Sequence, residues 1–265
     1  MRPWLLSAPA LIVLVVLFGG GMAYGLALAE GPAWGTVLAE VRVRRAILLS
    51  LWIAAASTLI SAVIGVAAAM LLRGVMRGRA GLAFLLQYNL TVPHLVGAIG
   101  MLYLLGQSGS LARAAHGIGL IDRPAEFPAL VHDPYALAII LTFAWKEIPF
   151  VALFTLAALQ GIGASYEDAA RSHGASAWRA FRHVTWPLIR PAVLAASAIV
   201  FAFAFGAYEI PALLGASSPK ALPVLAYERF TDPDLATRPE AMALALLTAL
   251  ISGSILLAGL ALRRR

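Results

Sequence analysis

Seven stretches of this chain contain no Asp, Glu, Lys or Arg: 3–29, 46–72, 80–112, 134–145, 148–166, 191–208 and 241–262. A helix needs about 20 apolar residues to cross the hydrocarbon core of a bilayer. Only Lys146-Glu147 separates the fourth stretch from the fifth, so the two join. Six spans follow, at 4–28, 46–72, 81–105, 135–158, 192–214 and 241–262. With 61% hydrophobic and 12% charged residues, the chain lies far from a soluble domain, in which about a quarter of residues are charged. The expected fold is an all-α polytopic membrane protein forming one unit over 1–265, without a soluble domain, internal repeat or low-complexity tail. The first stretch is long for a signal peptide and has no clear small-x-small cleavage site, so it reads as an uncleaved span. Gly19-Gly20-Gly21 within it suggests either close helix approach or a kink, or else a flexible lipid-facing segment.

The arginines set an orientation. One set of loops, including both ends of the chain and the segment near 165–191, holds eleven basic residues and two acids, Glu167 and Asp168. The other set holds eight basic residues and ten acids. By the positive-inside rule the first set, with both termini, faces the cytoplasm. The net charge of +7 follows from this bias and needs no nucleic-acid partner.

Several chemistries find no support. Neither Lys146 nor Lys220 is followed by Ser or Thr after a Gly-rich run, so a phosphate-binding loop is absent and the chain does not hydrolyse ATP alone. No cysteine is present, and none of His94, His116, His132, His173 and His183 lies four residues from another. No metal site is expected. Gly106-Gln107-Ser108-Gly109 resembles the nucleophile string of rhomboid-like intramembrane serine proteases. Such chemistry needs a base on Ser108, and His94 on the same span is the one candidate. The competing reading is a turn after the third span.

Charge inside the spans carries more information. Lys146 and Glu147 fall near the middle of span four, where an unpaired charge is costly. Adjacent helical residues point about 100° apart, so the two do not simply neutralise each other. Trp145 and Pro149 flank them; span five ends in Tyr208-Glu209-Ile210-Pro211; span three carries Gln87, Tyr88, Asn89 and His94 around Pro93. Two readings stand. Asn89, Trp145, Lys146, Glu147, Tyr208 and Glu209 line a polar path, or they form an interhelical lock that holds the bundle. A secondary transporter with broken helices would show the same polarity.

The segment 165–191, SYEDAARSHGASAWRAFRHVTWPLIRP, is a polar, Arg-rich hairpin within a cytoplasmic connection spanning 159–191. Two short helices are expected. Ser165 caps the first and closes a capping box with Asp168. His173-Gly174 ends it, Ser176 caps the second, and Pro187 and Pro191 disturb the chain where the next apolar run begins. Tyr166, Ala169, Ala170 and His173 share one face, while Trp178, Phe181 and Arg182 group together. Lipid-interface binding is one use for such a hairpin. Glu167-Asp168 and the two small alanines favour close contact with a cytoplasmic protein.

These residues resemble the EAA loop of permease subunits of binding-protein-dependent ABC importers. The family pattern is E-A-A, three residues, Gly, nine residues, then I-x-L-P. Here Asp168-Ala169-Ala170, Gly174 and Val184-Thr185-Trp186-Pro187 keep both spacings, with Glu167 preceding and with Asp, Val and Trp replacing Glu, Ile and Leu. FAFGAYEIPALLG at 203–215, with Pro219, Leu222-Pro223-Val224 and 238–242, is similar to the branch that imports polyamines, ferric iron, thiamine and phosphonates. The resemblance implies the type I, MetI-like fold in a bacterial inner membrane. It implies a dimer, more with a paralogous permease than with itself, and an external solute-binding protein. It also implies two cytoplasmic ATPase subunits that hold the ATP and magnesium, this chain binding no cofactor. Coupling to the ATPase falls to Glu167, Asp168, Ala169, Ala170, Gly174 and Pro187.

Overall fold

The computed structural model describes residues 3–29, 31–74, 79–162 and 165–262. Every regular element among them is helical. Helix α1 (Pro3–Leu14) runs through a π turn at Val15–Gly19 into α2 (Gly20–Leu28). Next come α3 (Gly31–Ala39), α4 (Val41–Gly74), α5 (Arg79–Thr91), α6 (His94–Leu105) and α7 (Ser110–Gly117). After an irregular segment follow α8 (Leu137–Ile162), α9 (Ser165–Ser172), α10 (Ala177–Ala180), α11 (Trp186–Gly206), α12 (Glu209–Leu214), α13 (Leu222–Phe230) and α14 (Arg238–Leu262). Six helical stretches among these residues are long and apolar enough to cross a membrane; the third runs from His94 through the turn at 106–109 to Gly117.

The centre of the bundle is the pair α4 and α8. Ala54, Ser57, Ser61 and Ala69 are fully buried along α4. A Cβ on Gly65 would meet Val151 Cβ at 2.8 Å, so glycine is what allows the two backbones to approach. Ser57 turns its hydroxyl back to the Ile53 carbonyl at 2.7 Å, whereas the buried hydroxyls of Thr58 on α4 and Thr155 on α8 find no hydrogen-bond partner among the described residues. Below this pair α11 packs on both helices, and α14 packs on α11 and α13.

Two spans depart from the apolar pattern. The third stretch is not one helix over 81–105 but breaks between Thr91 and His94. Pro93 has no N–H for the Asn89 carbonyl and disfavours helical geometry at Val92. The fifth, expected over 192–214, stops at Gly206, leaves Ala207 extended, and resumes as α12. Pro211 is tolerated there because it sits in the first turn of a new helix.

At the start of span five the expected disturbance at Pro187 and Pro191 does not occur as a break. Helix α10 passes through a π turn at Phe181–Thr185 directly into α11. The widened turn closes Trp186 N–H onto the Phe181 carbonyl just before Pro187, and Pro191 lies inside the helix. The second helix of the hairpin is therefore the first part of span five, helical from Ala177 to Gly206.

Gly19, Gly20 and Gly21 face open space, so close approach there is not made within this chain; the irregularity is the π turn that ends at Gly19. Among the described residues of span one, the second half packs on α14, with Gly25 against Leu246. The end remote from the hairpin is tied by charge. Arg229 of α13 donates to Glu240 of α14 at 2.6 Å and to Glu40 at the start of α4. Asp133 accepts from the N–H groups of Tyr135 and Leu137, at 2.8 and 2.7 Å, and starts α8.

Candidate functional site: a cross-tied helix break and an open hairpin

Two prolines organise the middle of the bundle. In an α-helix the carbonyl of residue i accepts from the N–H of residue i+4. Pro93 therefore frees the carbonyl of Asn89, and Pro149 frees the carbonyl of Trp145. Each freed oxygen is filled by a side chain of the other helix. Lys146 Nζ donates to the Asn89 and Val92 carbonyls, both at 2.6 Å, and Asn89 Nδ2 donates to the Trp145 carbonyl at 2.7 Å. The ammonium thus sits at the C-terminal end of α5, where the helix dipole favours a cation. Lys146 is 1% exposed. Gly97 makes room for it: a Cβ there would meet the Trp145 ring at 3.1 Å and the Lys146 stem at 3.6 Å.

Glu147 points elsewhere. Its Oε1 lies 3.3 Å from His94 Nε2, and the His94 ring packs on Phe203 with centroids 4.8 Å apart. Lys146 and Glu147, adjacent in sequence, answer to different partners. Trp145 is 39% exposed and lines a cavity of 370 Å³ with Asn89, Leu85, Ile148 and Pro149. The rings of Tyr208 and Tyr227 pack at a tilt of 49°, with centroids 4.6 Å apart. Glu209 opens α12, is exposed, and makes no ion pair or side-chain hydrogen bond with another described residue. The six polar candidates therefore separate. Asn89, Trp145, Lys146 and Glu147 meet where the break of span three crosses α8 at Pro149, while Tyr208 and Glu209 stand at the break of span five. His94 completes the first group and was not singled out from sequence as a site residue. Pro93 and Pro149, each four residues after a partnered carbonyl, were the available signal.

The hairpin is built differently. Glu167 is turned inward, accepting from Arg73 at 2.8 Å and from the Thr185 hydroxyl at 3.4 Å. These contacts tie α9 to the end of α4 and to the π turn. Asp168, Ala169, His173 and Gly174 are exposed, Tyr166 is 61% exposed, and Ala170 is half-buried. Gly174 has φ +84, the left-handed geometry that glycine adopts without strain. Ser176 caps α10, its hydroxyl accepting from Arg179 N at 3.4 Å. Ser165 is the first helical residue of α9, so the cap position falls on 163–164, outside the described residues. Pro187 is exposed and lies just beyond the π turn.

Ser108 lies exposed in the turn between α6 and α7, where Gly109 N–H donates to the Gly106 carbonyl at 2.7 Å. Among the described residues no hydrogen bond joins Ser108 to a histidine. His116 Nδ1 lies 2.9 Å from the Ile121 carbonyl.

Residues 61–264 match the model of the family described as binding-protein-dependent transport system inner membrane component. The chain is 29% identical to the molybdenum transport system permease protein ModB of Mycobacterium tuberculosis over 234 residues, 86% of this chain and 83% of that one. It is 28% identical to the putrescine transport system permease protein PotI of Escherichia coli over 245 residues, 91% and 80% of the two chains. The fold matches a chain of a bacterial ABC transporter that imports the polysaccharide alginate, with TM-score 0.79, 21% identity and coverage of 100% and 96%. It also matches a chain of the MetNI methionine ABC transporter, with TM-score 0.62, 19% identity and coverage of 83% and 94%. The chain belongs to the binding-protein-dependent transport system inner membrane component family, the multi-pass permease subunits of bacterial ABC importers, in which the ATPase is a separate subunit.

Proposed function

We propose that this permease carries a small solute, handed over by an external binding protein, and is driven by two cytoplasmic ATPase subunits that engage α9 and the Gly174 turn. Both chain termini then lie on the hairpin side, and ATP and magnesium reside on the partner. A second permease subunit, a paralogue, completes the membrane dimer. The carrying observation is the division of labour on α9. Glu167 spends its charge within the chain on Arg73 and Thr185, while Asp168, Ala169, His173 and Gly174 turn outward, and the hydrogen bonds of Ala169, His173 and Gly174 stay within α9 and its turn. A helix anchored on one face and free on the other suits transmission of a push to α4 and span five. Replacing Gly174 by leucine tests this. The expected result is loss of ATP-driven uptake with the permease still inserted; a Gly174→Leu complex that assembles and transports normally overturns the assignment.

In the same reading Asn89 and Lys146 fix the bend of two spans, and Trp145, Glu147, Tyr208 and Glu209 border the path. The support is that Lys146 is sealed on backbone carbonyls whereas Glu209 is open. Glu147→Gln should lower uptake without releasing the ATPase; unchanged uptake would return Glu147 to a purely structural role. The relatives are named for molybdenum, thiamine and putrescine transport, which span both signs of charge. The proposed solute class is correspondingly broad: a polyamine, a metal ion, thiamine or a phosphonate-like compound.

A further inference from the structure

An open apolar groove of 750 Å³ runs between α4 and the hairpin half of span five. One wall is α4 from Leu59 to Met70; the other is made by Trp178, Phe181, Trp186 and Val193. Leu59 and Val63 are more than 60% exposed, so nothing among the described residues covers the groove. At 1.5 Å per residue, the α4 wall is about 16 Å long, roughly half of a ~30 Å hydrocarbon core. The groove is therefore about one leaflet deep, and it ends at the hairpin rather than at the remote end.

The mouth carries an interfacial signature. Trp178 and Phe181 stack at 5.6 Å beside Arg182. Arg182 lines the groove, is exposed, and makes no hydrogen bond or ion pair with another described residue. No carboxylate lines the groove, and Glu167, the acid closest in sequence except for Asp168, is already held by Arg73. Indole rings and a guanidinium at the end of an apolar wall match the level of lipid headgroups.

We propose that this groove binds one anionic phospholipid, its acyl chain along α4 and its phosphate on Arg182. A helix from a second copy of this chain suits the site less well, because it would have to bring a carboxylate to Arg182; a helix of the paralogous permease proposed above is the other competing occupant, and the test separates it from lipid. The spans of this chain hold no acids but Glu147 and Glu209. A net-negative headgroup supplies the charge that the groove lacks, whereas the choline of a zwitterionic lipid offsets it. A lipid held here would wedge α4 against the helix that carries the hairpin.

The test is native mass spectrometry of the full chain, delipidated in detergent and titrated with phosphatidylglycerol or phosphatidylcholine. The wild type should retain one phosphatidylglycerol in preference to phosphatidylcholine. Arg182→Gln should weaken that retention about fivefold, the worth of one basic residue at an anionic surface, and Arg182→Lys should restore it. Val63→Trp, which fills the groove and leaves Arg182 in place, should block retention as well. Unfolding temperature in detergent reports that each variant is folded. The proposal is overturned if Arg182→Gln keeps phosphatidylglycerol like the wild type, or if the two lipids are retained alike. It is also overturned if a photoreactive residue at position 63 cross-links to another copy or to the partner permease in membranes, since a protein helix then occupies the groove.

Discussion

The cross-tied break at mid-span and the hairpin at the membrane edge are both rich in polar groups, but they treat them in opposite ways. At the break the freed carbonyls of Asn89, Val92 and Trp145 are closed by Lys146 and Asn89, and the lysine is sealed from solvent. At the hairpin Glu167 is closed by Arg73 and Thr185, and the rest of α9 is left open. A polar residue inside a membrane span is not by that fact a site. What separates the two regions is whether the chain satisfies the group itself. In hydrocarbon it has to, because no water will; at the edge it can leave the group for a partner.

The strongest way to break this contrast is Lys146→Met. The Val92 carbonyl loses its donor and the Asn89 carbonyl keeps only the Val92 N–H at 3.3 Å; a stranded group costs about 1–3 kcal/mol. The variant should be destabilised by about 3 kcal/mol, read by unfolding in detergent. Adding Pro93→Ala restores an N–H four residues after Asn89 and should recover about 1–2 kcal/mol of the loss. If Pro93→Ala only worsens Lys146→Met, the lysine is not answering the proline. Next in size is Gly174→Leu, where a side chain in left-handed backbone costs about 1–2 kcal/mol. A Cβ there meets nothing within 4 Å, so the stability change should stay small while uptake collapses. Glu167→Gln removes a pair that is about one-fifth exposed on each side and should cost about 1 kcal/mol or less. The sign to look for is faster amide exchange in α9 with the remaining spans unchanged. Smallest is Ser108→Ala, expected within about 0.5 kcal/mol of the wild type and without effect on uptake. Abolished function there would reopen a serine chemistry.

The number of spans and the placing of the hairpin between the fourth and fifth were legible from charge-free stretches and one spaced motif. Helix ends were not. Hydropathy runs straight through Pro93 and Gly206, since a break in a span changes hydrogen bonding and not apolarity. The reverse error occurred at Pro187, where a π turn absorbed a proline that a simple helix rule reads as a stop. The polar candidates were found because charge and amide groups are rare in spans. Which of them meet was hidden, because it depends on how α5, α6 and α8 cross. Lys146 and Glu147 show the limit: neighbours in sequence, they serve a pair of carbonyls and a histidine respectively. Glu167 read as a contact for another protein, and the structure turns it towards Arg73, a residue 94 positions away.

The crossed bonds between Asn89 and Lys146 also constrain how this region can change over generations. Loss of the lysine strands the Val92 carbonyl and leaves Asn89's on the Val92 N–H alone, loss of Pro93 offers the Asn89 carbonyl a further donor and leaves an ammonium competing for its place, and loss of Asn89 strands the Trp145 carbonyl that Pro149 released. Each single step passes through a chain with an unanswered group in the bilayer. The four positions 89, 93, 146 and 149 are bound together in mutation as they are in space, and a route out of the arrangement runs through paired substitutions.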